Sequence, residues 1–277
     1  MNMASIFAEP KQLPHIPRVV QELMESFRDD DMDLDVDEIS DKVALDQSLT
    51  AKVLRLANSA HYGVSRTIAN PHDAVMLLGF NTLRTMVLAS GVTGAFKLEG
   101  FDQNKFWKNA FGIAAISKWI GAYVPGCDKE TAFTCGMMHS VGSLLIRMFY
   151  PADAVSIDGA ESISGSHRHE LEYGRFGFTY ADVGAELAKR WKFPVVIQNA
   201  IQEQNYADAD KEYSVEAGIV YIAKYLKRAH DANLSEDEIV AGFPLAVADK
   251  IGMDVTRAYK DLAKIGDLNS GLDGLLD

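Results

Sequence analysis

Two neighbouring residues near the middle of the chain, His139 and Ser140, frame its chemistry. A histidine followed by a carboxylate can share a divalent metal that acidifies a bound water, but serine at the second position brings a hydroxyl and no negative charge. The surrounding stretch FTCGMMHSVGSLLIRM, Phe133 to Met148, reads as one buried helix. Gly136 and Gly142 lie three residues to either side of His139, so another backbone can approach closely at that level. On residue type alone, His139 is a buried histidine donating to a backbone carbonyl, to Ser140 or to Ser143.

Other constellations carry less. His167 and His169 in GSHRHE alternate in an expected loop, where two imidazoles could touch a transition metal, yet no third ligand follows at fixed spacing. Ser164 and Ser166 lie in ISGSH, which lacks the GxSxG pattern and the preceding strand of a serine hydrolase, so they read as plain loop residues. The acidic run RDDDMDLDVDE lacks the glycine and terminal glutamate of a calcium loop and reads as solvated. Cys127 and Cys135 lie eight apart with no second pair and no spaced histidines, so both read as thiols. Neither GxGxxG nor GxxxxGK[ST] occurs.

The elements that must position His139 are helices. LPHIP ends in Pro17, suited to a first helical turn, ahead of Val19, Val20, Leu23, Met24 and Phe27 at helical spacing. Val36, Ile39 and Val43 form a second face; Asp46 and Ser48 offer caps for a third helix through Leu49, Val53, Leu54 and Leu56. Asn70 with Pro71 begins another that Gly79 closes, and Asn81 can cap its successor. Helices are also expected over Asn104 to Tyr123, from the Thr179 cap to Trp191, from Pro194 through Ile201, and around Val215 to Arg228, Glu236 to Val247 and Val255 to Leu262. The segment PADAVSIDGAESISGSHRHE, small and polar, reads as a connection or a short frayed helix, and the tail GDLNSGLDGLLD as weakly ordered.

The chain therefore reads as all-α, a two-lobed helical bundle. Its 277 residues, nearly half of them apolar, suffice for a large core. A net charge of −12 argues against nucleic acid or an anionic membrane as the main partner. No stretch of roughly 18 uninterrupted apolar residues and no signal-peptide pattern occurs, so a cytoplasmic protein is expected.

DQSLTAKVLRLANSAHYG from Asp46 to Gly63, DAVMLLGFNTLRTMVLASG from Asp73 to Gly91, LPHIP upstream and AFTCGMMHSVGSLLI downstream together resemble the HDOD domain. This is a bacterial signalling relative of the HD metal-dependent phosphohydrolases, and the similarity runs from about Leu13 to Asn205. Leu56, Ala57, Asn58, Ser59, Tyr62 and Gly63 carry the signature. The resemblance implies an N-terminal helical lobe over 1–100, an HD-like lobe over 101–206 and C-terminal helices with the tail over 207–277.

The resemblance also implies a vestigial metal site. Where HD enzymes place an early histidine, the HD dipeptide, further histidines and a late aspartate, this chain has Asn109, His139 with Ser140, Tyr180, Gln204 with Asn205, and Lys224. Only a histidine survives, so no metal and no cofactor are expected. The leading expectation is a non-catalytic signalling module that binds another protein, one with a basic patch suiting this acidic surface. The alternatives are a divergent metal-dependent phosphohydrolase acting on a nucleotide or cyclic dinucleotide, and a sensor holding a small ligand in the vestigial pocket.

Overall fold

The structure, a computed structural model, describes residues 2–8, 13–26, 36–59, 66–164, 168–205 and 212–262. The chain is all-α, with sixteen helices and no strand among those residues. It divides into two compact units, one of Pro14–Lys108 and one joining the first residues to the chain from Asn109 onward.

The Pro14–Lys108 unit contains α2 (Arg18–Ser26), α3 (Val36–Ala44), α4 (Gln47–Ala57), α5 (Pro71–Ala95) and the start of α6 (Gln103–Gly121). The caps read from the sequence are in place. Asp46 accepts from Leu49 N at 2.9 Å, and Asn70 accepts from Asp73 N at 2.8 Å ahead of Pro71. α2, α3 and α4 each pack on α5, burying Val20, Ile39, Val43, Leu49, Val53, Leu83, Met86 and Val87. Gly79 interrupts α5 at φ 73°, a conformation that favours glycine and explains why the helix closes there and restarts. The acidic run over 27–35, Tyr62, Gly63 and the Asn81 side chain lie outside the described residues.

The other unit contains α1 (Met3–Ile6), the rest of α6, α7 (Lys129–Met138), α8 (Val141–Phe149), α9 (Pro151–Ser164), α10 (Arg168–Phe176), α11 (Tyr180–Arg190), α12 (Val195–Glu203), α13 (Val215–Asp231), α14 (Glu236–Ala241), α15 (Leu245–Lys250) and α16 (Val255–Lys260). α11 lies between α8 and α12, while α13 packs on α7 and α12. The helices after α12 share this unit's core: Ile219, Ile222, Leu226, Phe243, Val247 and Ile251 pack with Ile113, Ile116 and Ile120 of α6. Residues 263–277, the expected loose tail, lie outside the described residues.

Three expectations change. Phe133 to Met148 is two helices, α7 and α8, because the chain breaks at His139–Ser140, where Ser140 leaves the helical region at φ −112°, ψ 9°. Glu236 to Val247 is likewise broken, at Gly242–Pro244. The expected polar connection after Tyr150 is instead a 14-residue helix, α9, followed by α10. Ion pairs hold what an apolar stripe would usually hold: Asp158 bridges Arg147 and Arg168, and Asp153 takes Arg175 at 2.5 Å. Ser166 and His167 lie outside the described residues, and His169 sits on α10.

Candidate functional site

His139 ends α7 and is 4% exposed. Its Nδ1 lies 2.6 Å from Gly136 O, so in the neutral ring this nitrogen carries the proton and donates. Burial, and then the Lys224 charge, push its pKa down to about 3, while the bond to Gly136 opposes them. The imidazole is therefore neutral at physiological pH.

Glycine makes this level of the fold possible. A Cβ on Gly136 would come 2.7 Å from the Ala114 Cα of α6, and one on Gly142 would come 2.5 Å from the Gly184 N of α11. The two helices flanking His139 thus meet their neighbours backbone to backbone.

α11 begins at Tyr180 because Thr179 forms a capping box with Asp182. α12 ends into Gln204 and Asn205, and α13 carries Lys224 on its inner side. The Lys224 ammonium donates to Asn205 Oδ1 at 2.7 Å, Tyr180 OH at 3.1 Å and Gln204 Oε1 at 3.2 Å. Tyr180 OH donates onward to Asn205 Oδ1 at 2.8 Å. Gln204 Nε2 donates to His139 O at 2.6 Å, joining the cluster to the α7–α8 junction. Asn205 is 7% exposed, and its buried Nδ2 has no hydrogen-bond partner among the described residues.

Five of the seven expected site positions are thereby brought together: His139, Tyr180, Gln204, Asn205 and Lys224. Ser140 adjoins them, but its side chain makes no cap bond to α8. Asn109 is exposed on α6, and none of the hydrogen bonds of the cluster reaches it.

Sequence reasoning missed Glu172. It is fully buried, accepts from Tyr180 N at 2.5 Å, and pairs with Arg168 at 2.7 Å. The carboxylate thus fixes the first residue of α11, and so the phenol, from behind. The i,i+4 pairing of Arg168 with Glu172 was the visible signal, although it reads as a surface pair.

The signature segment also gains a mechanism. Asn58 accepts from Ile68 N at 2.7 Å and donates to Ile68 O at 2.8 Å, imitating a strand partner that fastens the returning chain to the end of α4. Cys127 and Cys135 are both thiols. Burial first, then Glu216 and Asp128, push Cys127 up to about 11, which leaves it poorly nucleophilic.

The HDOD domain family matches residues 13–207, about seven tenths of the chain. The chain belongs to the HDOD family. Lys224, at the centre of the cluster, falls beyond that matched span. A Shewanella amazonensis SB2B protein named "Putative phosphohydrolase" shares the fold at TM-score 0.82 and 34% identity, over 100% of both chains. An HDOD domain protein with unknown function from Geobacter sulfurreducens has the same fold at TM-score 0.77 and 22% identity, over 99% of this chain and 97% of that one. An uncharacterized protein of Treponema pallidum (strain Nichols) is 24% identical over 85% of this chain, and the chain spans 46% of its length. Together the family and its neighbours support an HD-like, signalling-related protein. Among the described residues no single helix is long and apolar enough to cross a membrane.

Proposed function

We propose that this HDOD protein is a non-catalytic signalling module that acts by binding another protein, its former metal site being occupied by its own lysine. The observation that carries the reading is the Lys224 ammonium, within 3.2 Å of oxygens on Tyr180, Gln204 and Asn205.

These residues do not fit a divalent metal. Hydrolytic HD chemistry needs anionic ligands to compensate the dication, and the oxygens gathered here belong to a phenol and two amides. An ammonium about 4 Å from a dication costs roughly 8 kcal/mol at an effective dielectric of 20. At about 1.4 kcal/mol per tenfold, that removes several powers of ten of affinity. Among the described residues, no group of three His, Cys, Asp or Glu side chains is placed to hold a metal.

The test is metal analysis of protein purified without chelator, run beside turnover assays with nucleotides and cyclic dinucleotides. Sub-stoichiometric Mn, Fe, Ni and Mg with no turnover is the expected result. Stoichiometric metal, or turnover abolished by chelator, would replace this reading with the second one, a divergent metal-dependent phosphohydrolase. That second reading draws on the name of the Shewanella amazonensis relative.

A further inference from the structure

The N-terminal residues of the chain seat a four-residue helix, α1, on the unit that begins again at Asn109. A single helical turn has no stability of its own, since nucleation costs more than one or two hydrogen bonds return. What holds α1 is its footing on α8 and α11.

The footing is specific. Ile6 is fully buried and Phe7 is 6% exposed. The Arg190 guanidinium of α11 lies 4.7 Å from the centre of the Phe7 ring, a cation–π contact. Ser5 Oγ meets the Tyr150 hydroxyl at the end of α8 at 2.8 Å, setting the register. Tyr150 in turn stacks on Phe176 at 5.5 Å, and Phe176 on Phe178 at 5.4 Å, so the socket has a rigid aromatic floor. Beside α1, an open groove of about 250 Å³ runs between α11 and α12; Met3 forms one edge, with Glu186, Lys189, Gln198 and Gln202 among its walls.

We infer that this footing is a peptide-docking socket, occupied in the resting chain by its own Met3–Phe7 segment and open, once that segment leaves, to a partner. The partner it fits presents two adjacent apolar side chains, the second aromatic, just after a hydroxyl on one helical turn. That is the chemistry of Ser5, Ile6 and Phe7 themselves. The inference rests on the protein-binding reading above and assigns it a surface. A tethered occupant competes at the high effective concentration of an intramolecular ligand, so the socket is guarded rather than vacant.

The probe is a fluorescently labelled peptide with the sequence of Asn2–Ala8, titrated by anisotropy into the full chain and into a chain lacking residues 2–8. Saturable binding to the shortened chain, at least about tenfold weaker binding to the full chain, and loss of binding when the peptide carries Phe7→Ala are expected. Absence of binding to a folded shortened chain, or equal binding to both, overturns the inference. Should the shortened chain fail to fold, hydrogen exchange on the full chain decides. Amides of residues 4–8 that exchange well before those of α8 and α11 support a displaceable occupant, and equal protection overturns it. Because the probe is the chain's own peptide, metal or turnover in the assays above would leave this outcome untouched.

Discussion

The Nζ atom of Lys224 lies 2.7 Å from Oδ1 of Asn205, the same oxygen that accepts the Tyr180 hydroxyl at 2.8 Å. Replacing this lysine by methionine keeps much of the stem but removes the donor from Gln204 Oε1, a buried side chain. Lys224→Met should therefore lose about 1–3 kcal/mol in urea unfolding. Since the Lys224 charge helps to hold the His139 pKa down, the variant's His139 should also titrate at higher pH by NMR. An unchanged His139 titration would mean that the two groups are not coupled.

His139 itself makes stability depend on pH. The folded imidazole protonates only near pH 3, whereas a histidine in the unfolded chain does so near 6.5. Below about 6.5 the unfolded chain takes up a proton that the native one refuses. The contribution is thus complete above that pH and declines toward 3 by about 1.4 kcal/mol per unit. Between pH 7.5 and 5.0, wild type should lose about 2 kcal/mol more than His139→Gln. Parallel stability curves for the two proteins would contradict this assignment.

The backbone contact at Gly142 tolerates no side chain. Gly142→Ala would drive a methyl to 2.5 Å from Gly184 N, backbone that cannot swing aside, and should cost about 3 kcal/mol or prevent folding. Gly94→Ala is the matching control, because a Cβ there meets nothing within 4 Å. In that helix interior it should be neutral or stabilise by up to about 1 kcal/mol.

Asn58 makes a local prediction. Asn58→Ala strands both backbone groups of Ile68, with an expected loss of about 2 kcal/mol and faster exchange of the Ile68 amide. Asn58→Asp keeps an acceptor for Ile68 N and should preserve more of that protection. If both variants exchange like wild type, Asn58 is not the fastener.

Much of this architecture was legible because helix ends announce themselves chemically. Asp46, Asn70 and Thr179 were read as caps, and each accepts a backbone N–H in the structure. The break at His139–Ser140 was not legible, since apolar residues continue through it and neither proline nor glycine stands at the junction. α9 was missed for the opposite reason: Asp153 and Asp158 bind it to Arg175, Arg147 and Arg168, and periodicity does not register partners so distant in sequence. At the site, the motif pattern located His139, Tyr180, Gln204, Asn205 and Lys224, while the bonds that join them are tertiary. Asn109 shows the cost of carrying a pattern over position by position, because the residue at that place faces solvent.

Lys224 comes from α13, which begins at Val215, after the matched family span has ended at residue 207. A metal is borrowed from the cell and follows its supply, so a site that needs one can be emptied by scarcity or by a competing chelator. A cation written into the chain is issued once, at translation, in a ratio of one to one. Starvation for metal therefore has no purchase on this centre, and a fragment cut at the family boundary would be a different object, with its oxygens left facing one another.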